Sequence, residues 1–199
     1  MKSAFILCGC LIALLLSSMS APAPARPQNQ REEFVAIGNM PAVNGSEMVG
    51  AGATVNVSIY LESYSTDGEA RAMASQFAAG GYKALRKALE KATLKGRITI
   101  SGREGAYDLK LLRSKTTEGA RRIFAIGERP IRFLDAYYSG RTHDYQFGIL
   151  QLELKNAGGL EGGSGVLVHG GTIKGLEADT ITVEDSIFEP VRLASVRKQ

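Results

Sequence analysis

The sequence predicts an α+β fold: a curved, mainly antiparallel sheet of about eight to ten strands packed on one long helix. Three observations carry this expectation. Residues 53–62 alternate apolar and polar without a break, the period of a strand with one buried face. Residues 66–93 then carry an apolar stripe at helical spacing, as in a helix packed on a core. From residue 97 onward, short alternating runs separated by turn residues recur at roughly ten-residue intervals.

In chain order, the first segment is a leader. Lys2 precedes the apolar run Ala4 to Leu16, which is too short for an ordinary membrane span. Small residues follow, and cleavage after Ser20 or after Ala25 satisfies the small-x-small rule. Residues 1–20, or 1–25 with the later cleavage, therefore read as a secretory signal peptide. Both cysteines, Cys8 and Cys10, fall inside it. The processed chain has no thiol and no disulfide, so burial and hydrogen bonds must stabilise it. Residues 21–32, with Pro22, Pro24 and Pro27, read as a flexible linker. Residues 33–199 form the expected single domain.

Phe34 to Ile37 is a short apolar run stopped by Gly38-Asn39, and it reads as a strand. Residues 41–52 read as a loop. The strand through Val55, Val57, Ile59 and Leu61 ends at Ser63. Thr66 and Glu69 fit a capping box, in which each side chain bonds the other residue's backbone N–H. Beyond it the stripe Ala70, Met73, Ala74, Phe77, Gly81, Ala84, Leu85, Ala88, Leu89 and Ala92 faces a core, while Lys83, Arg86, Lys87 and Lys91 face water. Gly80-Gly81 weakens the helix by about 1 kcal/mol per glycine relative to alanine. The stripe keeps phase across the pair, which favours one helix, kinked at that point, over two shorter ones.

Later strands are expected at 97–101, 106–113, 120–126, 131–138 and 145–155, with a polar turn at 114–119. A phase change near Gly148 marks a bulge. Ala157 to Gly163 reads as a flexible connection, followed by strands at 165–169, 172–174, 179–187 and 191–196. The helix is expected to fill the hollow of the curved sheet.

The Val55-x-Val57-x-Ile59 strand, the Tyr64-Ser65-Thr66 turn and the helix end Lys87-Ala88-Leu89-Glu90-Lys91 come in this order. Gly96-Arg97-Ile98, Phe147-Gly148 with alternating leucines, and Pro190-Val191-Arg192-Leu193 follow. Taken together, this pattern resembles uncharacterised secreted proteins of soil bacteria. The resemblance implies export and a fold, and it brings no activity with it.

Chemistry is legible mainly through what is missing. A zinc site wants three or four Cys, His or carboxylate ligands, and the processed chain offers His143 and His169 with no thiol. Gly50-Ala51-Gly52 precedes a strand, whereas a phosphate loop follows one and opens a helix. Ser164 sits among glycines, but Val166 stands where a nucleophile elbow needs its second glycine. The formal net charge of +4, to which Lys2 in the leader contributes, is too mild to argue for nucleic acid. No cofactor is expected.

Two constellations are candidates. Asp135 shares a strand face with Phe133 and Tyr137. If that face is inward, the carboxylate needs a partner such as Arg122 or Arg132; if outward, it is ordinary surface. Arg121, Arg122, Arg129, Arg132 and Arg141 are interleaved with aromatic residues, a pattern able to bind an acidic glycan, an anionic lipid headgroup or a partner protein. The candidate binding surface is thus Arg122, Arg132, Phe133, Asp135 and Tyr137. The leading functional expectation is an exported, non-enzymatic binding or accessory module of the periplasm or cell envelope. It would meet an envelope component or acidic glycan and keep no membrane span after signal cleavage. The alternatives are a secreted hydrolase using carboxylate or serine chemistry and a binder of a small apolar ligand between helix and sheet.

Overall fold

The computed structural model describes residues 31–39, 54–102, 105–117, 119–131, 147–157, 160–186 and 189–199. Period-two alternation builds nearly all of it. The strands are β1 (Glu32–Asn39), β2 (Thr54–Leu61), β3 (Gly96–Ile100), β4 (Tyr107–Leu109), β5 (Leu111–Thr117), β6 (Ala120–Ile126), β7 (Phe147–Ala157), β8 (Leu160–Leu176), β9 (Ile181–Ser186) and β10 (Val191–Lys198). The helix α1 (Asp67–Lys91) lies between β2 and β3. All pairings are antiparallel, in the order β4-β3-β2-β1-β10-β8-β7-β6-β5, with β9 added on β8. Because β4 pairs with β3, β5 pairs with β6, and only Lys110 separates β4 from β5, the sheet curls until it nearly closes.

Two apolar clusters lie on opposite faces of this sheet. The interior cluster joins Phe34, Ile59, Ile98, Leu112, Ile123, Leu152, Leu167 and Leu193, drawn from strands all round the sheet. The second joins Ala70, Met73, Leu85 and Leu89 of α1 to Phe124, Ile126, Phe147, Ile149 and Val168. Phe124 and Ile126 alternate with Ile123 and Ala125 along β6, so this strand is buried on both faces. The helix therefore does not fill the hollow, as the sequence suggested. Strand side chains fill it, and α1 covers the outside of β5 to β9.

The local signals around α1 behave as expected. Thr66 Oγ1 accepts from the Glu69 N–H at 3.1 Å, and Glu69 Oε2 accepts from the Thr66 N–H at 2.7 Å, completing the capping box. At Gly81 the helical backbone is interrupted: its φ of 60° and ψ of −149° are non-helical, and two helical stretches meet there at a kink. That conformation is open to glycine and strained for other residues. A register shift does fall between Phe147 and Ile149, but its extra residue is on β8, where three steps from Val168 to Gly171 face two of β7. β7 itself keeps phase, with Phe147 and Ile149 in the same cluster, and a Cβ on Gly148 would stand 2.6 Å from an Ile131 side-chain carbon.

Some boundaries move. β5 runs through Thr117 into the expected polar turn, because its outward Lys115 can face water while still pairing with β6. The glycine-rich stretch expected as a connection is part of β8, a continuous strand from Leu160 to Leu176. Gly163 and Gly165 are needed there for space: a Cβ would stand 2.0 Å from the Glu153 carbonyl oxygen and 2.4 Å from that of Gln151. β1 begins at Glu32, the last residue of the expected linker. The leader and the expected strand at 131–138, beyond Ile131, lie outside the described residues.

Replacing Gly81 with Ala is expected to destabilise the protein by about 1–3 kcal/mol, the cost of a sparsely populated backbone conformation. Its Cβ would meet nothing within 4 Å, so backbone strain is the only term. Urea denaturation measures it; an unchanged or higher midpoint would show that the bend is not required.

Candidate functional site

Two arginines of neighbouring strands organise the polar groups. Arg121 follows the phase of Ile123 and Ala125 and so points into the sheet's interior, where its side chain is 5% exposed. Glu32, in phase with Phe34, and Glu161, in phase with Leu167, meet it there. Arg121 donates to Glu32 at 3.0 and 2.5 Å, to Glu161 at 3.1 Å and to the Ser114 hydroxyl at 2.9 Å. It also donates to the Tyr64 hydroxyl and stacks its guanidinium 5.5 Å from that ring's centroid. Tyr64 donates to Glu32 at 2.5 Å, and Lys198 donates to Glu32 at 2.6 Å.

The electrostatics follow from this enclosure. Burial alone would push the Glu32 carboxyl up, but hydrogen bonds from Arg121, Lys198 and Tyr64 outweigh it and hold the group at about 2. Burial also disfavours the Arg121 charge, yet the bond to Glu32 and the charges around it raise its pKa. Among the described residues, two carboxylates and two cations thus form one hydrogen-bonded network at one end of the interior.

Arg113 is the second hub, on the outer face. It donates to the Ser65 carbonyl at 2.6 Å, to Asp67 at 2.6 Å, to the Ala178 carbonyl at 2.9 Å and to Asp179 at 2.5 Å. One side chain thereby ties β5 to the first turn of α1 and to the turn between β8 and β9.

Beside this brace lies an open groove of about 640 Å³ across the outer face of β5 to β8. Strand register builds it. Lys115 pairs with Arg122, Arg122 with Glu153 and Glu153 with Ser164, giving one polar row across four strands. The next row holds Phe124, Gln151 and Val166. Phe124, Val166 and Ile181 supply apolar lining, and Asp179 and Thr180 form a wall. Arg122 and Glu153 pair at 3.3 Å with both side chains exposed.

The expected site residues separate. Arg122 lies in this groove. Arg132, Phe133, Asp135 and Tyr137 lie outside the described residues, as does His143. The arginine–aromatic cluster is divided by strand parity, with Arg121 inside and Arg122 outside. Ser164 and His169 are five residues apart on β8 and so face opposite sides of the sheet: Ser164 is exposed, while His169 is buried and shares the parity of interior Leu167. Burial lowers the His169 pKa to about 4. The space between helix and sheet is occupied by rings, with Phe77–Tyr82 and Tyr82–Phe147 centroids 5.8 and 6.2 Å apart. Among the described residues, no group of three His, Cys, Asp or Glu side chains could hold a metal ion. Nor is any helix there long and apolar enough to cross a membrane.

Sequence reasoning missed Glu32, Glu161 and Lys198. The alternation of β1 and β6 held a usable signal, since it places Glu32 with Phe34 and Arg121 with Ile123. No family model, curated protein or solved structure matches the chain.

Two acid-sensitive contributions follow. Glu32 has a folded pKa of about 2 against an ordinary 4.5, so its stabilisation is complete above 4.5 and is lost as pH falls toward 2. Glu32→Gln is expected to cost about 3 kcal/mol at neutral pH, the lower end for breaking a buried pair, because Arg121 loses one carboxylate but keeps Glu161. The gap from wild type in urea denaturation should narrow below pH 4.5; a gap independent of pH would contradict the network. His169 is neutral when folded and protonates more readily when unfolded, so its contribution is complete above 6.5 and is lost as pH falls toward 4. His169→Gln should flatten the stability profile between pH 6.5 and 4, and an unchanged slope would show the imidazole to be solvated.

Proposed function

We propose that the protein is an exported, non-enzymatic binding module that holds an acidic glycan of the cell envelope in the groove across β5 to β8. The observation that carries this reading is the polar row Lys115, Arg122, Glu153 and Ser164 set in register beside an apolar lining on a strand framework. Phe124, Val166 and Ile181 suit the C–H faces of sugar rings. Gln151, Ser164 and Thr180 can exchange hydrogen bonds with hydroxyls. Arg122 and Lys115 supply cations for carboxylates, and the guanidinium plane allows a bidentate contact.

The Arg122–Glu153 pair is exposed, and such pairs contribute little. A ligand carboxylate can therefore take over the guanidinium at small cost. Lys2 with the apolar run Ala4 to Leu16 supports export. A non-catalytic role is favoured by the opposite facing of Ser164 and His169 and by the saturation of Arg121 with carboxylates. The filled contact among Phe77, Tyr82 and Phe147 argues against an apolar ligand there.

Calorimetric titration of the full chain with uronic-acid oligosaccharides and their neutral counterparts tests the reading. The acidic series should bind more tightly, and Arg122→Ala should weaken it by about fivefold or more, the loss of one charge-assisted contact. Equal affinity for both series, or full affinity in Arg122→Ala, would refute it.

A further inference from the structure

We propose that the second half of α1 holds a linear, phosphate-bearing polyanion along a hollow edged by Lys83, Lys87 and Lys91. This site is distinct from the groove across β5 to β8 and does not depend on the glycan reading. The hollow has a volume of about 540 Å³ and is lined by Gln76, Gly80 and Ala84 together with Lys83, Lys87 and Lys91. Its lining comes from both sides of Gly81, so it lies across the bend in the helix. The residues between the lysines are small. At Gly80 a Cβ would stand 2.7 Å from that of Ala84, so a larger residue would crowd the hollow.

The lysines recur every fourth residue, which places them about 6 Å apart over about 12 Å of helix. All three are exposed. The neighbouring cation, Arg86, is matched by Glu90 at 3.0 Å. Among the described residues, none of the three lysines has a carboxylate within 4.0 Å. The helix dipole favours cations in the last turn, where Lys91 stands, and Lys83 and Lys87 extend the same water-facing row. A run of cations on this spacing complements a chain with repeating negative charges. A lone phosphate would reach only part of the run, and a flat bilayer would not enter the hollow.

The probe is inorganic polyphosphate, titrated against the full chain at low and physiological salt, with orthophosphate and phosphatidylglycerol vesicles in parallel. Polyphosphate should bind, orthophosphate should bind far more weakly, and vesicles should bind more weakly per accessible phosphate. The triple variant Lys83→Gln, Lys87→Gln, Lys91→Gln should lose about tenfold or more at low salt, and its log–log salt slope should fall by about 2. A control with Lys155→Gln, Lys174→Gln and Arg197→Gln removes the same charge from exposed positions elsewhere and should lose less than about threefold. Arg122→Ala should bind polyphosphate normally, which separates this site from the glycan groove. Circular dichroism checks that each variant is folded. No binding by wild type, equal losses in the two triple variants, or tighter binding to vesicles than to polyphosphate would each overturn the proposal.

Discussion

Burial of β6 on both of its faces is the constraint on which the rest of the structure depends. Along this strand, Ile123 and Ala125 face the interior while Phe124 and Ile126 face α1. A strand apolar on both sides cannot serve as an ordinary half-solvated surface. It needs a curled sheet on one side and a covering element on the other. The near-closure of the sheet and the position of the helix both answer that need, and β7 and β8 follow the same pattern through Leu150 and Ile149, and Leu167 and Val168. Where α1 stops covering the outer face, near Phe124 and Val166, the polar row of the groove takes over.

Charge is distributed by the same geometry. Arg121 has carboxylate and hydroxyl partners and Arg113 carboxylate and carbonyl partners, and both are saturated. Arg121 organises one end of the interior, and Arg113 fastens the helix and a hairpin to β5. Arg122, one residue from Arg121, has a single partner among the described residues, the exposed Glu153. Strand parity thus turns adjacent arginines into a structural group and a surface group. That difference is why the groove, rather than the more elaborate interior network, is the place to look for a ligand.

The parts of this fold that local chemistry dictates were legible in the sequence. The capping box of Thr66 and Glu69 and the alternation of β2 depend on neighbours a few residues away. The parts that depend on distant neighbours were not. Gly162 to Gly165 has the composition of a loop, and only the closeness of β7 explains why glycine is required in a strand there. The amphipathic stripe of α1 shows that one face is buried without saying which side of a sheet receives it. For the candidate site, Arg122 was recognised as a surface cation, but its row with Lys115, Glu153 and Ser164 exists only through the register of four strands. The Glu32–Arg121 contact joins residues 89 positions apart, beyond the reach of any local pattern.

The pairing of β1 with β10 has a consequence for biogenesis. Among the described strands these are the first and last in chain order, with Phe34 opposite Lys198, and Lys198 also grips Glu32 across 166 positions. A nascent polypeptide cannot zip this seam until β10 has been made. Earlier strands and the helix can form sooner, but the β1–β10 pairing must wait for β10, and a chain lacking that strand leaves β1 with an open edge.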